Sequence, residues 1–159
     1  MVQEPWPSRD VQNDGPCTKL QSVLAMEIDT DGVMWVVDSG PKRIQNLGPE
    51  QGVLDVRSSE ITRGRECPPK VVLIDIPTGD VIHSYEFPDS SAKKSSLRDG
   101  SLLTDLVLDV KRKIAYISDS NGPEDAVGGI IVYDLENNRS RRFHPENNCV
   151  EKAEPLGSV

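Results

Sequence analysis

The chain has 159 residues, with 18 Lys and Arg against 26 Asp and Glu, a formal net charge of −8, 36 % apolar residues and 4 % aromatic ones. That length fits one ordinary domain or part of a larger one, and the negative balance excludes both the basic face of a nucleic-acid binder and attraction to an anionic membrane surface. Apolar runs are only a few residues long, too short for a membrane-spanning helix, and the Val, Ile and Leu content is too high for a disordered chain.

Residues 1–19 are rich in Pro, Asp, Asn and Gly without a period, and read as an extended lead-in. Residues 20–29 form an apolar stretch of strand length. Thr30-Asp31-Gly32 is a turn whose glycine can take positive φ, and Val33-Met34-Trp35-Val36-Val37 is a second strand stopped by Asp38-Ser39-Gly40. Residues 41–66 carry charges and turn formers without periodicity, as a long surface loop does. Residues 70–76 and 81–87 are a third and fourth strand around the tight turn Pro77-Thr78-Gly79-Asp80. A polar stretch over 88–101 links to a second group. There, strands at 102–110, 114–118, 129–135 and 139–144 are separated by short turns and the loop 121–128. From Pro145 the pattern is lost, and no helix is expected anywhere.

These eight strands are two copies of one unit. With Ile28-Asp29 set over Leu108-Asp109, Trp35-Val36-Val37-Asp38-Ser39 falls over Tyr116-Ile117-Ser118-Asp119-Ser120, and Asp75 falls over Asp134. Four antiparallel strands in a row, repeated, are the blades of a β-propeller. The expected class is therefore all-β, with blades over 20–87 and 102–144 and an irregular tail or the start of a further blade over 145–159. A ring needs about four to eight blades. Two alone leave apolar faces open to water, so the remaining blades or self-association must cover them.

Cys17, Cys67 and Cys149 lack C-x-x-C spacing and have no close histidine set, which argues against zinc. One disulfide with an odd thiol fits an extracellular chain. Met1-Val2-Gln3-Glu4-Pro5-Trp6-Pro7 has neither a basic nor an apolar region of a signal peptide. On this reading the protein is either intracellular or begins further upstream.

The motifs Leu20-Gln21-Ser22-Val23 through Ile28-Asp29, Met34-Trp35-Val36-Val37-Asp38-Ser39-Gly40 and Cys67-Pro68-Pro69-Lys70-Val71-Val72-Leu73-Ile74-Asp75 resemble the opening of the major royal jelly protein/Yellow family. So do Ala115-Tyr116-Ile117-Ser118-Asp119, Gly129-Ile130-Ile131-Val132-Tyr133-Asp134-Leu135, Asn138-Arg139-Ser140 and Arg142-Phe143. The resemblance runs from about Trp6 to Phe143 and implies a secreted six-bladed propeller of which this chain supplies the first part. Many Yellow-type sequences carry cysteines where this chain has Thr30-Asp31 and Lys111-Arg112-Lys113. The remaining candidate disulfide is Cys17 with Cys67, the alternative being three free thiols; Cys149 would stay unpaired or find its mate outside the chain.

In a propeller the innermost strands line a central channel whose mouth is the usual ligand site. Here they are residues 20–29 and 102–110, so Ser22, Thr104 and Asp105 are the candidate ligand-binding residues. Asp105 stands inside a strand made mostly of Leu and Val. Such a carboxylate either accepts hydrogen bonds from loop backbone or meets a ligand. Asp38 and Asp119, present in both copies, read as turn-forming residues. His83 and His144 lie in outer strands without a nearby acid or nucleophile. Trp35 and Tyr116, at equivalent positions, are expected to pack between blades. Asn138-Arg139-Ser140 is an N-glycosylation triplet on a hairpin turn. No G-x-S-x-G, P-loop or H-E-x-x-H motif occurs, and no catalytic residue, metal or cofactor is assigned.

Three functions remain. Salivary members of the resembled family bind biogenic amines, and a desolvated ammonium needs a paired charge such as a channel carboxylate. Some Yellow relatives are linked to dopachrome conversion in melanin synthesis, which requires a positioned base. A metal-dependent lactonase of the wider six-bladed class is the third, but that class usually has asparagine before the aspartate, where this chain has Thr104. A binding protein for a small cationic or aromatic ligand ranks first.

Overall fold

A computed structural model describes residues 4–12, 16–40, 67–93, 100–120 and 128–143. Eight strands follow one another: β1 (Val23–Ile28), β2 (Val33–Asp38), β3 (Lys70–Asp75), β4 (Val81–Glu86), β5 (Leu103–Asp109), β6 (Ile114–Asp119), β7 (Gly129–Asp134) and β8 (Arg139–Phe143). They form two four-stranded antiparallel meanders, β1-β2-β3-β4 and β5-β6-β7-β8, and no helix occurs among the described residues. The long loop expected over 41–66, the tail from 145, His144 and Cys149 lie outside the described residues.

The inner strands begin later than the apolar pattern suggests, and the cause is a carboxylate. Asp38 accepts the amides of Gln21 and Ser22 at 2.9 and 2.8 Å, so those residues cannot join the β-ladder. Asp119 does the same to the amide of Leu102 at 2.7 Å. Both inner strands then carry a register shift directly after their first residue, between Val23 and Ala25 and between Leu103 and Asp105. A bulge adds one residue and increases local twist, which suits a strand beside an axis.

Alternation along the strands assigns two faces to each sheet. Ala25, Trp35, Val37, Val71 and Leu73 of the first sheet are buried against Leu103, Leu106, Ala115, Ile117 and Tyr133 of the second in one core. Between the sheets, β5 approaches β1 most closely and β2 less, while the outer strands are bridged by side chains. Tyr133 is the hub of that outer seam. Its ring lies 4.7 Å from Tyr85 and meets Trp35 edge-on at 6.4 Å, and its hydroxyl bonds His83 Nε2 at 2.8 Å. Burial pushes the Tyr133 phenol well above its usual range. The connection between sheets also packs: Ala92 joins the core, and Ser91 Oγ accepts from Ser140 Oγ at 2.8 Å.

Trp35 and Tyr116 are equivalent in register yet differ in burial. Trp35 is 3 % exposed between the sheets, whereas Tyr116 is 42 % exposed. Trp35 packs between the two sheets as expected. Tyr116 faces away from the first sheet together with Val107 and Ile130, and no described residue covers that face. On the far side of the first sheet, Met26 and Ile28 are exposed beside Val36, Val72 and Ile74.

Each of the four fully described hairpin turns holds one left-handed residue: Gly32 and Gly79 in the first sheet, Lys113 and Asn138 in the second. The aspartates before these turns cap them. Asp29 accepts from the amides of Asp31 and Val33 and from Trp35 Nε1, and Asp75 from the amide and hydroxyl of Thr78. Hydrogen bonds from Arg112 hold the Asp109 carboxyl below its usual value, and those from Asn137 do so at Asp134.

Three outcomes are expected. Ile117→Ala, which opens a cavity between the sheets, lowers unfolding free energy in urea by about 2–5 kcal/mol, while Tyr116→Ala costs about 1 kcal/mol or less. Because the folded values of Asp109 and Asp134 are depressed, their contribution is complete above about pH 3.9 and is lost as pH falls through the folded values; NMR titration of both carboxyls reads midpoints below that of a free side chain. Cys17 and Cys67 form a disulfide with a sequence separation of 50, and Cys17→Ser lowers stability by about 4 kcal/mol on the chain-entropy relation.

Candidate ligand site on the inner strands

The ends of the inner strands are organised by one buried acid in each sheet. Asp38 is fully buried; besides Gln21 and Ser22 it accepts the amide of Gly40 at 2.9 Å and pairs with Lys70 Nζ at 3.2 Å. Lys70 is itself 1 % exposed and donates to the carbonyls of Cys17 and Lys19. Gly40 is required there: its φ is +75°, and a Cβ would stand 2.5 Å from the carbonyl oxygen of Cys67. In the second sheet the equivalent Asp119 is paired by Arg142, which also donates to the Ser91 carbonyl. The two cations come from different strands, Lys70 from β3 and Arg142 from β8.

Both acids are thus consumed by structure, and Asp38, through the Gly40 amide, forms the turn expected of it. Nothing local marks Lys70 as the counterpart of Asp38, since a lysine opening a strand looks like an exposed edge residue. Nor is the His83–Tyr133 contact marked, because it depends on how the two sheets meet.

Ser22 lies just before β1, half-buried, with its amide on Asp38 and its carbonyl on the amide of Ser39. Thr104 occupies the β5 bulge, and its hydroxyl lies 3.0 Å from Ser118 Oγ and 3.1 Å from Ser120 Oγ. Asp105 follows it and is exposed. Its Oδ1 accepts the amide of Leu106 at 2.9 Å, and Oδ2 has no hydrogen-bond partner among the described residues. Thr104 and Asp105 therefore form one polar cluster with Ser118 and Ser120, whereas Ser22 belongs to the separate Asp38 network.

Register deepens the contrast. Asp105 occupies in β5 the place that Ala25 holds in β1, each being the first paired residue after the bulge. Ala25 is 9 % exposed, covered by the second sheet. Asp105 sits on the corresponding uncovered face, so whatever approaches that end of β5 meets a carboxylate with an available oxygen and three hydroxyls. Glu27 of β1 is a second exposed carboxylate on the inner strands, which the apolar context of residues 20–29 conceals. No group of three His, Cys, Asp or Glu side chains that could hold a metal ion occurs among the described residues.

A further depression of about 460 Å³ lies on the outward face of the first sheet, where Trp6 and Gln12 of the lead-in stand over Met26, Met34, Val36 and Ile74. It contains no charged side chain and is separate from the cluster at Asp105.

Two comparisons bear on this arrangement. The family description "Major royal jelly protein" matches residues 52–154. A dopaminechrome tautomerase of Drosophila melanogaster is 27 % identical over 146 residues, covering 89 % of this chain and 27 % of that protein. This chain thus spans about 27 % of the length of that curated relative. The two repeated meanders, packed through their inner strands, are blades of the partial β-propeller of that family, and the chain belongs to the major royal jelly protein family.

Proposed function

We propose that the chain contributes the first blades of a secreted Yellow-type propeller that binds a small cationic or aromatic ligand, such as a biogenic amine, at the channel end of β5. The observation that carries this reading is Asp105: an exposed carboxylate on an innermost strand, with one oxygen unpartnered among the described residues and the Thr104, Ser118 and Ser120 hydroxyls beside it. An ammonium taken out of water needs a compensating charge and acceptors for its remaining protons, and this cluster offers both. The net charge of −8 draws cations toward the protein. Secretion is supported by the Cys17–Cys67 disulfide, a bond that persists in oxidising compartments.

A second reading is favoured by the name of the relative, a dopaminechrome tautomerase. Tautomerisation moves a proton between two positions of one molecule, so it needs a group that can accept and return it. Asp105 has the free oxygen for that task. Both readings use the same carboxylate, one as counter-ion and the other as base.

Titration calorimetry with tyramine and with 4-ethylphenol, its ring without the ammonium, separates charge recognition from ring stacking. Tyramine binds and 4-ethylphenol binds at least tenfold more weakly; Asp105→Asn removes that preference, as expected for a charge-assisted hydrogen bond of about 1.5–3 kcal/mol. Equal binding of both compounds, or an unaltered Asp105→Asn variant, rejects the amine reading. Absorbance loss of dopaminechrome that stops in Asp105→Asn would instead establish the tautomerase reading.

A further inference from the structure

The geometry points to Asn138 as an N-glycan acceptor whose amide oxygen stays engaged in the fold while its nitrogen carries the sugar. Asn138-Arg139-Ser140 is the chain's one Asn-X-Ser/Thr triplet with a non-proline centre. Three structural observations, independent of the triplet, converge on it. Asn138 is exposed at the β7–β8 turn, with φ +47°, a left-handed conformation that asparagine adopts more readily than most residues. Its Oδ1 accepts the hydroxyl of buried Tyr133 at 3.1 Å, which fixes the amide, and its Nδ2 has no hydrogen-bond partner among the described residues. The disulfide joining Cys17 to Cys67 belongs to the same oxidising compartment in which such glycans are added.

The acceptor atom of this triplet is the nitrogen, and the bond formed there replaces one N–H by N–C of the sugar, the lipid-linked oligosaccharide losing its diphosphate carrier as leaving group. The carbonyl oxygen keeps both lone pairs, so the Tyr133 hydrogen bond survives modification. His83 then donates from Nε2 to the Tyr133 oxygen, and the line His83–Tyr133–Asn138 ties β4 of the first sheet to the glycan-bearing turn of the second. Ser140, the third member of the triplet, turns its hydroxyl inward to Tyr85 and Ser91 in the folded chain. It is therefore available to the transferase only before the sheets pack, which places addition during translocation. The site lies on the turn between β7 and β8, apart from the polar cluster at Asp105.

This inference rests on the secretory reading, and the test keeps the two apart. The full chain is directed into the secretory pathway of insect cells by a cleavable leader. The medium is assayed for the intact disulfide, for a mobility shift on peptide-N-glycosidase treatment, and by mass spectrometry for the accompanying conversion of residue 138 to aspartate. The expected result is a single glycan on at least half the molecules. It is lost in Asn138→Asp, which keeps the left-handed turn and the acceptor for Tyr133, and retained in Ser140→Thr. Disulfide-linked chain carrying unmodified Asn138 overturns the proposal. Should the chain stay inside the cells, translation into microsomes gives the same readout on the protease-protected product: a glycan there supports the acceptor site, and unmodified Asn138 overturns it. Cytosolic residence of the native protein, with Asn138 glycosylated on forced translocation, would overturn secretion and leave the acceptor site standing.

Discussion

The structure depends on a carboxylate buried at the end of the second strand of each sheet. Asp38 and Asp119 gather the backbone amides of the residues that lead into β1 and β5, and so decide where each inner strand starts. A buried acid is tolerable only when paired and hydrogen-bonded, and removing one partner of such a pair typically costs about 3–5 kcal/mol. Lys70 and Arg142 meet that condition by different routes. The acid is repeated and the cation is not, so geometry demands the carboxylate while its neutralisation is left to local opportunity.

From this anchor the rest follows by packing. Once the inner strands begin at Val23 and Leu103, the bulges that come next turn Ala25 and Asp105 to matching faces. One face then closes against its neighbour with Trp35 and Tyr133 at its centre, and its counterpart on the second sheet, with Tyr116 and Asp105, is covered by no described residue. Burial in such an array is set by position in the series as much as by residue type. That is why equivalent aromatic residues, Trp35 and Tyr116, have unequal exposure.

Much of this was legible in the chain itself. Strand-length runs bounded by turn residues mark all eight strands, and the doubled Asp-Ser stops reveal the repeat, because both signals are local. The apolar pattern places the strand starts too early, at Leu20 and Leu102, since nothing local says that a distant aspartate will take the amides that follow or include them. Asp105 stands out as a carboxylate in mid-strand beside Leu and Val, but its exposure depends on which face is covered. Glu27, Lys70 and the His83–Tyr133 contact escape a local reading for a common reason: their roles arise between segments far apart in the chain. Membership of the major royal jelly protein family, carried by motifs spread over both sheets, was readable before any fold was known.

Lys70 ties the lead-in to the first sheet by reaching the carbonyls of Cys17 and Lys19, while Cys17 is bonded covalently to Cys67 a few residues before the same lysine. The lead-in is therefore latched twice at nearly one point, once by sulfur and once by an ammonium. A reducing environment would open only the first latch and leave the second holding. Loosening the amino-terminal segment, and with it the shelter it gives Met34 and Val36, would require losing both together.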